Sequence, residues 1–202
     1  MEVISKSDFE REIKSKSLTY ITNRYLFDNF PYCFKDNPDL YYEFRKNICD
    51  NFKIHPKNFC VVGSGKIGFS LNPNNYGRKY CDSSDIDVVL ISDELFHELW
   101  LKLLAFKKGS VYRLSQYYKK KFEELQKTLF YGIIRIDKLS DDFDFAKEWW
   151  TFFNKLSTDE TLGMHQIRGA IFKSWQHVSL YYEYSIKKIS NIIEANNESN
   201  GF

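Results

Sequence analysis

The chain has 202 residues, enough for one domain with a helical extension. Aromatic residues make up 18% of it, with 18 Phe and 14 Tyr, which supplies a core and excludes a disordered chain. Lys and Arg number 29 against 27 Asp and Glu, and a net charge of +2 excludes the strong basic excess of a dedicated nucleic-acid binder, leaving only a local basic strip open.

The opening stretch, MEVISKSDFEREIKSKS, is charged and has no apolar segment of the secretory-signal type. Within it Ser7-Asp8-Phe9-Glu10 reads as a capping box, a hydroxyl followed three residues on by a glutamate, so a helix is expected from about 8 to 28. Asn37-Pro38 is a second helix start, an N-cap residue with Pro in the first helical position. Leu40, Phe44, Ile48 and Phe52 then recur every fourth residue, giving one apolar face until His55-Pro56 breaks it.

Phe59-Cys60-Val61-Val62 is a short β-prone run ending at Gly63, which reads as a buried strand. Residues 72–84 are rich in turn formers and hold no regular helix. Asp85 to Ile91 reads as a second buried strand with acids only at its entrance. Ser92 with Asp93 and Glu94 caps a helix to about Phe106. A helix follows over 110–130, exposing Lys119-Lys120-Lys121 as a solvated face or an electrostatic track. Tyr131 to Ile136 reads as a third strand, 141 onward as helix, and 165–173 as a fourth, more exposed strand. A final helix is expected from Ser174 to about Ala195, with a polar, fraying tail at 196–202.

The expected fold class is α/β (α+β), a small mixed sheet flanked by helices from both ends of the chain. Its parts are an N-terminal helical segment (1–58), a core (59–140) and a mostly helical C-terminal part (141–202), together one compact unit. Cys33, Cys49, Cys60 and Cys81 form no C-x-x-C pair and none lies within four residues of a histidine, so no zinc site is expected. Free thiols imply a reducing, cytoplasmic setting. No apolar run approaches the ~18 residues that span a membrane.

Gly63-Ser64-Gly65-Lys66-Ile67-Gly68 invites three phosphate-loop readings. A P-loop needs Gly where Cys60 stands and Ser or Thr where Ile67 stands. The dinucleotide fingerprint needs a long helix after its third glycine, and Leu71-Asn72-Pro73 stops any helix there. The third reading uses Asp85 and Asp87. Alternation along a strand puts both carboxylates on one side, with Ile86 and Val88 on the other. Two such carboxylates repel unless a cation sits between them, and Mg²⁺ with substrate phosphate oxygens is the natural cation. The rival reading of the pair is an Asx-type turn after Cys81-Asp82-Ser83-Ser84.

"FCVVGSGKIGFS" followed by "SSDIDVVLIS" resembles the DNA polymerase beta-like nucleotidyltransferase superfamily over residues 59–92. The resemblance implies that Gly63 and Ser64 contact a triphosphate and that Asp85 and Asp87 bind metal. It implies a two-ion Mg²⁺ site, with Mn²⁺ as the alternative, and transfer of a nucleoside monophosphate from an NTP to a hydroxyl. The acceptor stays open: nucleotide, RNA, protein or small molecule. Twenty residues, 65–84, separate Ser64 from Asp85, longer than in compact members; Arg78 and Lys79 lie there as phosphate contacts or solvated loop. The family also uses a third carboxylate on a later strand, as a base. Asp137, ending YGIIRI with Arg135 on its face, is the best-placed candidate; a turn-starting role is its rival, and Asp144 is a substitute.

Ser64 also suits an N-cap, and Lys66 reads equally as a nucleotide-binding residue or a surface lysine. His97, His165 and His177 are assigned no chemistry. The aromatic C-terminal half, WWTFF and SLYYEY, reads as core or as a protein-partner surface. The alternative function is a catalytically inactive nucleotide-sensing or scaffold subunit. Bacterial members of this size often belong to antiviral defence or toxin–antitoxin systems, which the resemblance alone suggests.

Overall fold

The computed structural model describes residues 4–162 and 165–199. Among them, eight α-helices surround a four-stranded mixed sheet, the α/β class expected.

Hydroxyl caps decide where the first helices begin. α1 (Lys6–Ser15) starts from Ser5 rather than Ser7: the Ser5 hydroxyl accepts from the Asp8 N–H at 3.1 Å and donates to its carboxylate at 2.6 Å. The single helix expected over 8–28 is broken. Lys16 leaves it in extended backbone and Ser17 caps α2 (Leu18–Ile21), which widens into a π-helical run, Thr22–Asp28. Serine between two helical patterns offers the backbone a competing partner, and here it wins. α3 (Pro38–Phe52) begins as read, with the Asn37 side chain accepting from the Leu40 N–H.

β1 (Phe59–Val62) leads through the short α4 (Ser64–Ile67) and an irregular loop to β2 (Ile86–Ile91), its antiparallel partner. α5 (Asp93–Gly109) is capped by Ser92 and α6 (Gln116–Phe130) by Ser115. β3 covers only Ile133–Ile134, shorter than the expected Tyr131–Ile136. Gly132 before it has φ 68°, and Ile136–Lys138 after it winds into a 3₁₀ turn. α7 (Asp144–Ser157), β4 (Ile167–Phe172) and α8 (Trp175–Ser199) complete the chain. The helix therefore takes in 196–199 of the expected tail, and Asn200–Phe202 lie outside the described residues.

The strand order is β1-β2-β4-β3, with β4 parallel to β2 and antiparallel to β3. β4 is thus an interior strand, not the more exposed one expected. Its Ile167, Ile171 and Phe172 are buried, and Gly169 lets Trp149 pack against the backbone: a Cβ there would lie 2.5 Å from Trp149 Cζ2.

Alternation along β2 sorts its side chains. Ile86, Val88 and Leu90 enter the large core with Ile48 of α3, Leu99 of α5, Leu125 of α6, and Trp149 and Phe153 of α7. Val89 and Ile91 face the other way, with Cys60, Val62, Phe172 and Val178 of α8. Each fully buried side chain of this size contributes about 1.5–3 kcal/mol. A third cluster joins Phe9, Ile21 and Leu26 to Ile186 and Ile189 of α8. The segment 1–58 is therefore divided: α1 and α2 dock on α8, while α3 covers the opposite face of the sheet. Trp149 and Phe153 are core, whereas Leu180, Tyr181 and Tyr184 stay exposed. No helix among the described residues is long and apolar enough to cross a membrane, and all four cysteines are free.

Candidate functional site

The turn after β1 is shaped around one carboxylate. Val62 pairs with Asp87 across the β1–β2 ladder. Gly63 follows with φ 65° and ψ −150°, a conformation open essentially to glycine alone. A Cβ at Gly63 would lie 2.9 Å from Asp87 Oδ2, so bare backbone rests beside the acid. Gly63, not Ser64, occupies the cap position of α4; Ser64 is its first residue and its carbonyl accepts from the Gly68 N–H at 2.9 Å.

A cleft of about 360 Å³ opens here, with Gly63, Asp87, Arg135, Asp137, Arg168 and Tyr181 in its walls. Asp85 stands just before β2, and its Oδ2 is 3.2 Å from Arg168 Nη1. Arg168 lies on β4 in register with Asp87. Arg135 grips Asp137 with two parallel hydrogen bonds, Nε to Oδ1 at 3.0 Å and Nη2 to Oδ2 at 2.9 Å. Asp137 sits on the 3₁₀ turn beyond β3, not on a strand. Asp87, half-buried, has no ion-pair partner within 4.0 Å among the described residues. Burial first, and then the charge of Asp85, push its carboxyl from an ordinary 3.8 up to about 6, against the pull of Arg168 and Arg135.

The structure thus lines one cleft with Gly63, Asp87 and Asp137, ties Asp85 to it from outside through Arg168, and adds two arginines that sequence reasoning did not single out as site residues. Arg168 was visible as a lone cation in an apolar strand, but only the strand order reveals its neighbour. His165, assigned no chemistry, pins the entrance of β2. Its Nδ1–H donates to the Ser84 carbonyl at 2.8 Å, leaving Nε2 to accept from the Tyr80 hydroxyl at 3.3 Å.

Five further candidates, Ser64, Lys66, Arg78, Lys79 and Asp144, are not among the residues that line this cleft. Lys66 is turned inward, 3% exposed, with Nζ donating to the Phe27 carbonyl at 3.1 Å. Of its two readings, the surface lysine is overturned by this burial, and the side chain lines a different cavity, beside Phe59 and Cys60 of β1. Arg78 and Lys79 are exposed on the loop, and Asp144 is an exposed residue opening α7.

The donor set suits one hard cation. Asp87 on β2 and Asp85 just before it offer carboxylate oxygens, and a divalent ion would offset the burial and the Asp85 charge that together raise Asp87. No three His, Cys, Asp or Glu side chains converge as a ready-made cage among the described residues, so the fit rests on that pair. No family model, curated protein or solved structure matches this chain.

Proposed function

We propose that the chain is a Mg²⁺-dependent nucleotidyltransferase, moving a nucleoside monophosphate from an NTP to a hydroxyl acceptor with release of pyrophosphate. The observation that carries this reading is the apposition of Gly63 and Asp87, with a Cβ at Gly63 excluded at 2.9 Å. The bare Gly63 turn packs directly on the half-buried, unpaired carboxylate, both line the cleft, and in this reading the cleft takes the phosphate.

In this reading Asp85 and Asp87 hold the cation. Bound Mg²⁺ supplies charge neutralisation at the phosphates and a more acidic acceptor hydroxyl. Arg168 and Arg135 face the same cleft, and guanidinium matches phosphate oxygens in planar, two-point fashion. Each exchanges its carboxylate partner for phosphate when substrate enters. That exchange frees Asp137 to take the proton of the acceptor hydroxyl. Tyr181 and Tyr182 wall the cleft and exclude water from it.

Pyrophosphate release from a panel of NTPs, with Mg²⁺ and with chelator, tests the reading. Wild type should turn over and the Asp85→Ala/Asp87→Ala variant should not. Equal, background-level release by both under every acceptor condition overturns it.

One observation favours the second reading, an inactive nucleotide-binding or scaffold subunit. The third-acid candidate, Asp137, lies on a 3₁₀ turn rather than a strand and is held by both hydrogen bonds from Arg135. The exposed Leu180, Tyr181 and Tyr184 of α8 would then serve a protein partner. Nucleotide binding without turnover in the same assay distinguishes it.

A further inference from the structure

A second cavity, of about 910 Å³, runs along β1, the edge strand of the sheet. Its floor is Lys66. That ammonium is almost wholly buried, donates its one recorded hydrogen bond to the Phe27 carbonyl, and has no acid within ion-pair distance among the described residues. Burial pushes its pKa down, with Cys60, Asp28 and Cys33 only partly opposing. A buried cation without a counter-charge is unfavourable, so its environment invites an anion.

The walls extend the same imbalance. Arg24, Arg45 and Lys57 line the cavity, and none of them takes part in an ion pair among the described residues. These three and Lys66 face one lining acid, Asp28. The contrast with the first cleft is direct, since both arginines there are paired with carboxylates. Between the cations stand aromatic rings. Trp175 is held by a hydrogen bond from Nε1 to Asn58 Oδ1 at 3.3 Å and meets Phe27 edge-on at 5.3 Å. The Arg45 guanidinium lies 5.3 Å from the centre of the Tyr41 ring. One wall is the π-helical run Thr22–Asp28, and such irregular turns recur at functional sites.

We propose that this cavity is a second ligand site, for a planar-ring organic phosphate of the nucleoside monophosphate class. Lys66 and Arg45 take the phosphate, Lys57 and Arg24 guard the rim, and the rings of Trp175 and Tyr41 take the base. The site stands on its own residues and does not depend on the cleft at Asp87 being catalytic. The two are joined by α4, which carries Lys66 three residues after Gly63.

The test is calorimetric titration of the full chain in chelator, so that metal-dependent binding at the first cleft is silent. The probes are AMP, GMP, CMP and UMP, with adenosine and ribose 5-phosphate as halves of the ligand. At least one monophosphate should bind more tightly than either half. Arg45→Gln and Lys57→Gln, changes at a half-buried and an exposed position, should each weaken it by about tenfold to a hundredfold. Asp87→Asn should leave it unchanged. Lys66→Met should abolish it; if that variant does not fold, the Arg45 and Lys57 variants still decide. Absence of binding at millimolar ligand overturns the proposal. So does affinity for ribose 5-phosphate equal to that of the nucleotides, or binding that survives Arg45→Gln and Lys57→Gln, or binding that is lost in Asp87→Asn.

Discussion

Arg168 stands in register with Asp87 on the adjoining parallel strand, and its guanidinium reaches Asp85 at 3.2 Å. The cation of β4 therefore pairs with Asp85 and reaches Asp87 only through its charge, at longer range. Beyond it, Arg135 and Asp137 repeat the pairing at the far side of the cleft. Both ion pairs are partly solvated, and such pairs contribute about 0–1 kcal/mol each. They are cheap to exchange for substrate phosphate, so the cleft holds phosphate-binding groups in readiness without leaving them unpaired.

The raised carboxyl of Asp87 has a signature in stability. Its folded pKa, about 6, lies above the ordinary 3.8, so the folded chain keeps a proton that the unfolded chain has lost. Stability from this group is therefore greatest below about pH 4, falls as pH rises towards 6, and is level above that. The gap is worth at most about 3 kcal/mol. Asp87→Asn should remove this part of the slope and be more stable than wild type at pH 7.5. Urea melts at four pH values between 4 and 7.5 measure it; an unchanged slope in the variant refutes the assignment.

Magnesium should offset the same burial and the Asp85 charge. At a hundredfold excess over its dissociation constant, a cation bound only by the folded chain adds about 2.7 kcal/mol. Thermal melts at pH 7.5 should therefore shift upward with Mg²⁺ in wild type. They should not shift in Asp85→Asn or Asp87→Asn. An equal shift in all three would place the ion elsewhere.

Gly63→Ala should damage both folding and function. The alanine would be forced into the glycine-only backbone region and its Cβ driven to 2.9 Å from the Asp87 carboxylate. Backbone strain alone costs about 1–3 kcal/mol. Gly109→Ala is the control: a Cβ there meets nothing within 4 Å, so it should be neutral to about 1 kcal/mol stabilising. Chemical denaturation and pyrophosphate release of the two variants should diverge in this sense; similar behaviour argues against the close approach.

Gly169→Ala tests the packing behind the site. Its Cβ would fall 2.5 Å from the buried Trp149 ring, overfilling the core by about 1–3 kcal/mol. Trimming the ring in Gly169→Ala/Trp149→Phe should cost less than the sum of the two single changes. A strictly additive cycle would mean that the two positions do not press on each other.

The legible parts of the chain were those with local causes. Asn37-Pro38 and Ser92 start helices because a side-chain oxygen satisfies a free N–H three residues on. The same rule misplaced the first cap because Ser5 and Ser7 each precede an acid at the right spacing, and only geometry chose Ser5. Ser17 was overlooked as a break because the pattern continued on both sides of it. β3 was overextended because the glycine at 132 and the turn at 136–138 act against an apolar run.

By itself the sequence determined the order of helices and strands apart from the break at Ser17, the glycine turn at 63, and the placing of Asp87 opposite Ile86 and Val88. Caps, turns and a two-residue alternation are properties of neighbouring residues, so they can be read in place. The tertiary structure alone decided who faces the acids of the cleft. Parallel pairing of β2 with β4 carries Arg168 to Asp87 from far along the chain, the turn beyond β3 closes Arg135 on Asp137, and one short helix sends Lys66 into a cavity of its own. These meetings depend on strand order and helix docking, which are set by burial summed over the whole chain, and no local pattern encodes them.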